Sequence, residues 1–283
     1  MNSFAHLLKT NQINYYRYVL FAFLQILFLP SAFPGEEKKF PKIEIKPNIW
    51  GGASTRDIQK ILNSAARQIW PHAQQNKLAT IQVERSRTGP IVLFRRGERG
   101  EYLVRLDTEK TFWSQYAFQF AHELGHIICG YKKGDRSNLW FEETICETVS
   151  LFVLRKMTDE WKSNPPYPNW KAYGPEFAQY AQKRMNKHPW SKELPVTEWY
   201  KKQNPSLMSE PTNRSRNVQL AIKFLAFFEQ DPSRWSACTF LNKDKSHKRL
   251  SFKNYLINWK INCLTGKQKK FVEEISRLFG FEN

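Results

Sequence analysis

Two apolar segments of the chain carry histidine and glutamate side chains that a buried helix retains only beside a partner. The first, TFWSQYAFQFAHELGHIICGY, places His122, Glu123 and His126 among aromatic and aliphatic residues. The second, LWFEETICETVSLFVLRKM, places Glu143 and Glu147 in similar surroundings. Burying a charged carboxylate without a partner costs several kcal/mol. The two segments therefore predict neighbouring helices joined around a cation, and this pairing constrains the fold more than any other feature.

The extents of the two helices follow from the apolar pattern and the flanking residues. The first helix is predicted from Thr108 to about Gly130, with Asp107 or Thr108 as its N-cap. The chain then turns between Gly130 and Gly134, and the second segment is predicted to run back beside the first. Gly125 is expected to allow the second helix to approach closely, because glycine has no Cβ.

The pattern H-E-x-x-H in the first helix suits a hydrolytic zinc site. Residues four apart share one face of a helix, so His122 and His126 can reach the same ion. Glu123 is turned by about 100° from His122 and can act as a general base on a water molecule. The competing interpretation is a pair of core histidines satisfied by hydrogen bonds.

The second helix is expected to supply the third ligand. Glu143 is the first choice, because the 17 positions from His126 to Glu143 (143 minus 126) let the first helix end and the second run back beside it, and a catalytic zinc site needs a third protein ligand. Glu142 and Glu147 are the substitutes. Glu142 is turned off the stripe that holds Glu143, and we expect it to be solvated or to face a substrate. Cys146 is disfavoured as a ligand, because a thiolate would complete a closed structural site.

The segments HELGH and WFEETICE together resemble those of the gluzincin metallopeptidases, and the second is similar to the W-L-x-E-x-x-x-E segment of the aminopeptidase branch. The resemblance implies zinc ligands at His122, His126 and Glu143, a general base at Glu123, and an outer carboxylate at Glu147 that orients a histidine. It covers only residues 80–156. The interval before the glutamate is shorter than in the aminopeptidases and their G-x-M-E-N signature is absent, so removal of amino-terminal residues is not supported.

The remaining elements indicate the α+β class. Upstream segments predict an edge strand (PKIEIKPNIW), a helix capped by Ser54 (STRDIQKILNSAARQIW), and three strands (TIQVER, PIVLFRR and EYLVRLD), the last two forming a hairpin. Helical patterns then occur near residues 174–187, 191–203, 213–230, 250–262 and 266–279. Together with the resemblance to the gluzincins, this order implies a zincin-like core with a small mixed or antiparallel sheet at residues 40–160, and a helical subdomain at residues 161–283.

The N-terminus has the order of a secretory signal. Lys9 and Arg17 precede an apolar run, and small residues follow it. Residues 1–32 are therefore predicted to be a signal peptide, or an anchor if cleavage fails, and the protein to be secreted or periplasmic.

In such a compartment the cysteines could pair as Cys129–Cys146 and Cys238–Cys263, or stay reduced as small buried hydrophobes.

The chain is strongly basic, with 44 lysines and arginines against 26 acidic residues and a net charge of +18. The basic residues lie in scattered clusters such as RRGERG and NKDKSHKRL, which are typical of solvated faces. A nucleic-acid partner is disfavoured, because no known binding motif accompanies these clusters. Weak attraction to an anionic envelope surface is the more natural consequence for an exported protein.

The sequence thus predicts an exported zinc metallopeptidase, a hydrolase of the protease class that cleaves a peptide or protein substrate with Glu123 as general base. A second donor to the oxyanion, besides zinc, is expected among Tyr167, Tyr173, Tyr180 and His188. The alternative is a non-catalytic zincin-like module that binds an anionic envelope polymer through its basic faces. Glu123 favours the enzyme, because a purely structural site needs no base.

Overall fold

The computed structural model describes residues 40–47, 50–73, 78–191, 194–244 and 247–281. The expected signal peptide at residues 1–32 lies outside these ranges, so its cleavage or retention stays a prediction. Within the described ranges, no helix combines the length and the apolar character that crossing a membrane requires.

A small mixed sheet is formed by β1 (Ile43–Ile45), β2 (Ile81–Arg85), β3 (Ile91–Arg96) and β4 (Tyr102–Leu106). Their order in the sheet is β1-β2-β4-β3. β1 and β4 pair in parallel with β2, whereas β3 pairs antiparallel with β4 and forms one edge. The predicted edge strand and the predicted hairpin are both confirmed, and β3 becomes the strand nearest to the candidate site.

Helix α1 (Thr55–Ile69) contacts β1 and the two long helices that follow the sheet. Its start is fixed by Ser54, whose Oγ accepts a hydrogen bond from the N–H of Asp57 at 3.0 Å. Ile58, Ile61 and Leu62 are completely buried on its inner face. The predicted helix and its N-cap are thus confirmed.

The two long helices predicted around a cation are α2 (Trp113–Ile128) and α3 (Leu139–Glu160), and they pack directly against each other. Gly125 of α2 faces Cys146 of α3. A Cβ on Gly125 would lie 3.1 Å from both the Cα and the Sγ of Cys146. The close approach expected at Gly125 is therefore confirmed, and it brings the backbones near enough for side chains of both helices to converge.

Replacing Gly125 with alanine is expected to lower the free energy of unfolding by about 1–3 kcal/mol, the usual cost of overpacking a filled core. The new methyl group would press on the Cα of Cys146, which moves only if α3 moves. Gly266→Ala is the matched control, because a Cβ at Gly266 would meet nothing within 4 Å. Chemical denaturation compares the two variants, and equal stability would contradict this packing.

The predicted start of the first long helix is wrong by one turn or more. We expected the helix to begin at Thr108 with a cap at Asp107 or Thr108, but α2 begins at Trp113. The Nε2 of Gln119 donates to the carbonyl oxygen of Asp107 at 2.9 Å, and Gln119 Oε1 accepts from the N–H of Asp107 at 2.8 Å. Lys110 donates its backbone N–H to the carbonyl of Trp50 and has φ 55°. These tertiary bonds hold the segment as a loop.

The C-terminal half is helical, as predicted, with no strand among its described residues. Its helices are α4 (Gly174–Lys187), α5 (Val196–Ser209), α6 (Arg214–Gln230), the short α7 (Trp235–Cys238), α8 (Phe252–Asn262) and α9 (Gly266–Leu278). Helices α4 and α6 pack against α3. Rings of α3 also meet rings of α8, for example Trp140 and Phe252 at 4.6 Å between centroids. The α+β class is therefore confirmed, with one core continuous across residue 160, while the division into two domains stays a prediction.

All four cysteines are buried free thiols. The pairings Cys129–Cys146 and Cys238–Cys263 are therefore not formed in this structure, which corresponds to the alternative of reduced, buried side chains. Burial raises the pKa of the Cys146 thiol, which lies beside the thiol of Cys129. A protonated thiol packs as a small hydrophobe, and a core of this size does not depend on covalent links.

Candidate metal centre

Helices α2 and α3 bring together the three residues expected to bind a metal. His122 and His126 lie one turn apart on α2, with ring centroids 5.1 Å from each other. Glu143 of α3 reaches both rings: its Oε2 lies 3.2 Å from the Nε2 of His122, and its Oε1 lies 3.6 Å from the Nε2 of His126. Ligand atoms of all three residues lie within 4.8 Å of one another.

The spacing of these atoms suits a tetrahedral zinc ion. Bonds of about 2.0–2.1 Å to nitrogen and oxygen put the ligand atoms of such an ion about 3.3–3.4 Å apart. The separations of 3.2 Å from Glu143 Oε2 to the Nε2 of His122, and of 3.6 Å from Glu143 Oε1 to the Nε2 of His126, lie close to that value, and one ligand atom from each residue lies within 4.8 Å of the others. Two imidazoles and one carboxylate are also the donor types of catalytic zinc sites. The residues present therefore fit this metal.

Each imidazole has a second carboxylate on its other nitrogen. The Nδ1 of His126 lies 2.8 Å from Glu142 Oε1, and the Nδ1 of His122 lies 3.7 Å from Glu147 Oε2. The other oxygen of Glu147 accepts from Arg184 at 2.9 Å. Both Nε2 atoms are thereby turned toward Glu143. A carboxylate hydrogen-bonded behind a histidine, as Glu142 is behind His126, fixes the proton on Nδ1 and aims Nε2 at the metal position, whereas Glu147 at 3.7 Å is a longer charge contact to His122.

Glu142 is placed differently from our expectation. We expected a solvated or substrate-facing carboxylate, but Glu142 is 0% exposed. Besides His126, it accepts from the Nδ2 of Asn242 at 2.9 Å, and the hydroxyl of Tyr255 donates to Asn242 Oδ1 at 3.0 Å. The expectation was wrong because it treated α3 as having one exposed face, whereas the C-terminal helices cover that face.

Asn242 and Tyr255 were missed by the sequence analysis. Asn242 is 100 positions from Glu142 along the chain, and its neighbourhood TFLNKDK carries no recognisable motif. Its backbone N–H also donates to the carbonyl of Cys129 at 3.2 Å, at the end of α2. The only available signal was a carboxylate in the apolar stretch WFEE, which indicates that a buried partner exists without identifying it.

Glu123 lies beside the two histidines and faces the sheet. It is 3% exposed, and its Oε2 accepts a hydrogen bond from the backbone N–H of Val92 in β3 at 2.7 Å. Burial raises the pKa of Glu123, although the nearby rings of His122 and His126 act in the opposite direction. A carboxylate with a raised pKa, held by one oxygen, is suited to accept and return a proton.

The cluster as a whole needs positive charge. Burial works against protonation of His122, yet Glu143 and Glu147 outweigh it and raise the pKa of His122 to about 10. Burial likewise opposes ionisation of Glu143 and Glu147, but their cationic neighbours lower the pKa of both carboxyls. Carboxylates this deeply buried are stable only beside cations. Protons on the imidazoles or a divalent metal can meet that requirement.

The candidate site opens into a cleft of about 700 Å³. Its walls come from both halves of the chain: Ile91 and Phe94 of β3 on one side, and residues of α4 and α6 on another. Tyr131, which the sequence analysis did not consider, also lines the cleft and stacks on Phe94 at 4.3 Å between ring centroids. Such a cleft has room for several residues of an extended ligand.

The candidate oxyanion donors are only partly brought to this cleft. Tyr180 lines it. The hydroxyl of Tyr173 instead lies 3.1 Å from the backbone nitrogen of Ser114, His188 lies beside Ser215, and Tyr167 packs on Trp170. None of these last three lines the cleft among the described residues.

No family profile, curated protein or solved structure matches this chain, so the candidate centre rests on its own residues and geometry.

Proposed function

We propose that the protein is a zinc-dependent metallopeptidase with a gluzincin-like centre formed by His122, His126 and Glu143. One observation carries the proposal: both Nε2 atoms converge on Glu143 while a different carboxylate stands behind each ring. If the two histidines were only core residues satisfied by hydrogen bonds, each ring would need one acceptor. The two Nε2 atoms would then have no reason to point at the same carboxylate. The zincin-like fold proposed for the core agrees with the mixed sheet and its edge strand β3 beside α2.

Glu123 is proposed as the general base. The N–H of Val92 holds Oε2, which leaves Oε1 to take a proton from a water molecule in the cleft and later to pass it to the departing amine. Zinc, when bound, supplies Lewis acidity toward a carbonyl oxygen and toward water. Glu142 and Glu147 keep the two rings in place, and Arg184 holds Glu147.

Tyr180 is the proposed second donor to the oxyanion. Of the four candidate residues, it is the one that lines the cleft. Burial raises the pKa of Tyr180, so its hydroxyl keeps its proton near neutral pH and can donate a hydrogen bond. A phenol proton aimed at a developing negative charge stabilises the transition state more than the ground state.

A catalytic role is favoured over the non-catalytic zinc module by the shape of the site. Structural zinc sites are closed by four protein ligands. In the described residues the only group of three or more candidate ligands is His122, His126 and Glu143, and all three line the open cleft. Export, as a secreted or periplasmic protein, remains part of the proposal on the strength of the N-terminal sequence, and so does weak attraction to an anionic envelope surface.

The proposal is tested on the purified full chain by measuring its metal content and its action on a mixed peptide library. We expect stoichiometric zinc and new peptide termini in the products, both lost on chelation and both restored by adding zinc. Zinc retention without any cleavage would favour the non-catalytic module. A chain that binds no zinc would refute the centre itself.

A further inference from the structure

Three cationic side chains line the same cleft as the candidate metal centre. Lys133 and Arg136 come from the segment between α2 and α3, and Arg214 is the first residue of α6. All three are exposed. They therefore stand at the open side of a cavity whose apolar lining includes Ile91, Phe94 and Phe118.

The acidic residues closest to these cations in the sequence are already engaged. The carboxylate of Asp135 accepts from both the N–H and the hydroxyl of Ser137. Glu210 pairs with Arg216 and also accepts from Asn213. Within the part of the chain that the structure describes, no ion pair joins Lys133, Arg136 or Arg214 to an acid.

The acids inside the cleft are engaged as well. Glu143 faces the two imidazoles, Glu147 pairs with Arg184, and Glu123 accepts from the N–H of Val92. Arg184 is therefore already paired with Glu147, and its guanidinium carbon lies 4.4 Å from the ring centroid of Phe118. The mouth of the cleft thus carries three exposed cations, and no described carboxylate forms an ion pair with any of them. The acids that line the cleft are buried or partly buried, whereas its exposed charged side chains are all cationic, and an exposed surface of one sign attracts ligands of the opposite sign.

We propose that the cleft selects peptides that carry carboxylates beside the scissile bond. Arginine binds a carboxylate through two parallel hydrogen bonds, and the apolar lining suits the stem of an extended peptide. This inference rests on the proposed peptidase function. The carboxylate has two possible sources, an Asp or Glu side chain or the free C-terminus of a short peptide, and both present the same group to Arg136 and Arg214.

The test compares three peptides with one neutral core and with Glu, Gln or Lys on either side of it. Binding is measured by fluorescence anisotropy on zinc-loaded Glu123→Gln protein, and cleavage on wild-type protein. We expect the Glu peptide to bind about 5-fold more tightly than the Gln peptide, the upper end of what one exposed ion pair contributes. The preference should shrink at high salt. Gln peptides with free and with amidated C-termini separate the two sources of carboxylate.

Paired charge variants locate the effect. Arg136→Gln with Arg214→Gln should abolish the preference for Glu over Gln, whereas Lys253→Gln with Lys267→Gln removes the same charge from exposed positions outside the cleft lining and should preserve it. Equal binding of Glu and Gln peptides, or equal effects of the two double variants, would overturn the inference. Cleavage without preference would overturn it and leave the peptidase standing. Tight binding of acidic peptides without cleavage by wild type would overturn the peptidase and retain the ligand class.

Discussion

Peptide hydrolysis by the Glu123→Gln variant is expected to fall by about 10²–10⁴-fold in kcat, the usual contribution of a positioned general base. The proton acceptor is lost, but the amide oxygen of glutamine can still accept from the N–H of Val92, so the local structure is retained. Steady-state kinetics on a cleaved library peptide measures the change, and zinc analysis of the same sample should show no loss of metal.

Glu198→Gln is the matched control for that variant. Glu198 is an exposed residue of α5 and does not line the cleft, so its replacement should leave kcat and zinc content at wild-type values. Full activity of the Glu123 variant would show that another group takes the proton. Loss of zinc together with activity would mean that Glu123 supports the ligands rather than the water.

Zinc affinity of the Glu142→Gln variant is expected to be about 10–100-fold lower than that of wild type, the typical effect of removing a carboxylate behind a ligating histidine. Glu142 accepts from two donors, the Nδ1 of His126 and the Nδ2 of Asn242. A glutamine at this position must turn its own N–H₂ group toward one of them. The ring of His126 then loses its fixed orientation, and competition with a chromophoric chelator measures the loss.

Glu160→Gln separates this effect from general damage to α3. Glu160 lies at the far end of the same helix, and its carboxylate also accepts from two side chains, Ser64 and Gln68. We expect the Glu160 variant to bind zinc as tightly as wild type, even if it unfolds at a lower temperature. Equal zinc affinity of the Glu142 variant and wild type would show that Glu142 fills space without orienting His126.

The local part of the candidate site could be predicted from the sequence because it depends on helical spacing alone. His122 and His126 share a face of α2 by periodicity, and Glu143 had to lie in a helix able to return to them. The strands and most helices followed from the same kind of short-range pattern. The loop at residues 107–112 did not, because its bonds to Gln119 and Trp50 override a helical preference of the segment.

The surroundings of Glu142 could not be predicted for a related reason. Its environment is set by Asn242 and Tyr255, whose positions depend on how the C-terminal helices fold back over α3. The apolar pattern of α3 indicated burial, yet it did not show that every residue from Trp140 to Leu154 except Glu143 is buried. Residue type and spacing therefore identify the ligands, whereas tertiary packing decides what stands behind them.

The enclosure of α3 by both halves of the chain bears on how the molecule could be divided. A fragment cut at residue 160 would retain the H-E-x-x-H helix and Glu143, but it would expose Trp140 and Phe141 to water and leave the carboxylate of Glu142 without its asparagine. Such a fragment would keep the H-E-x-x-H motif but lose the contacts that hold Glu142 and, through it, the ring of His126. The helical half therefore supplies contacts on which the candidate centre depends, and it cannot be removed without changing that centre.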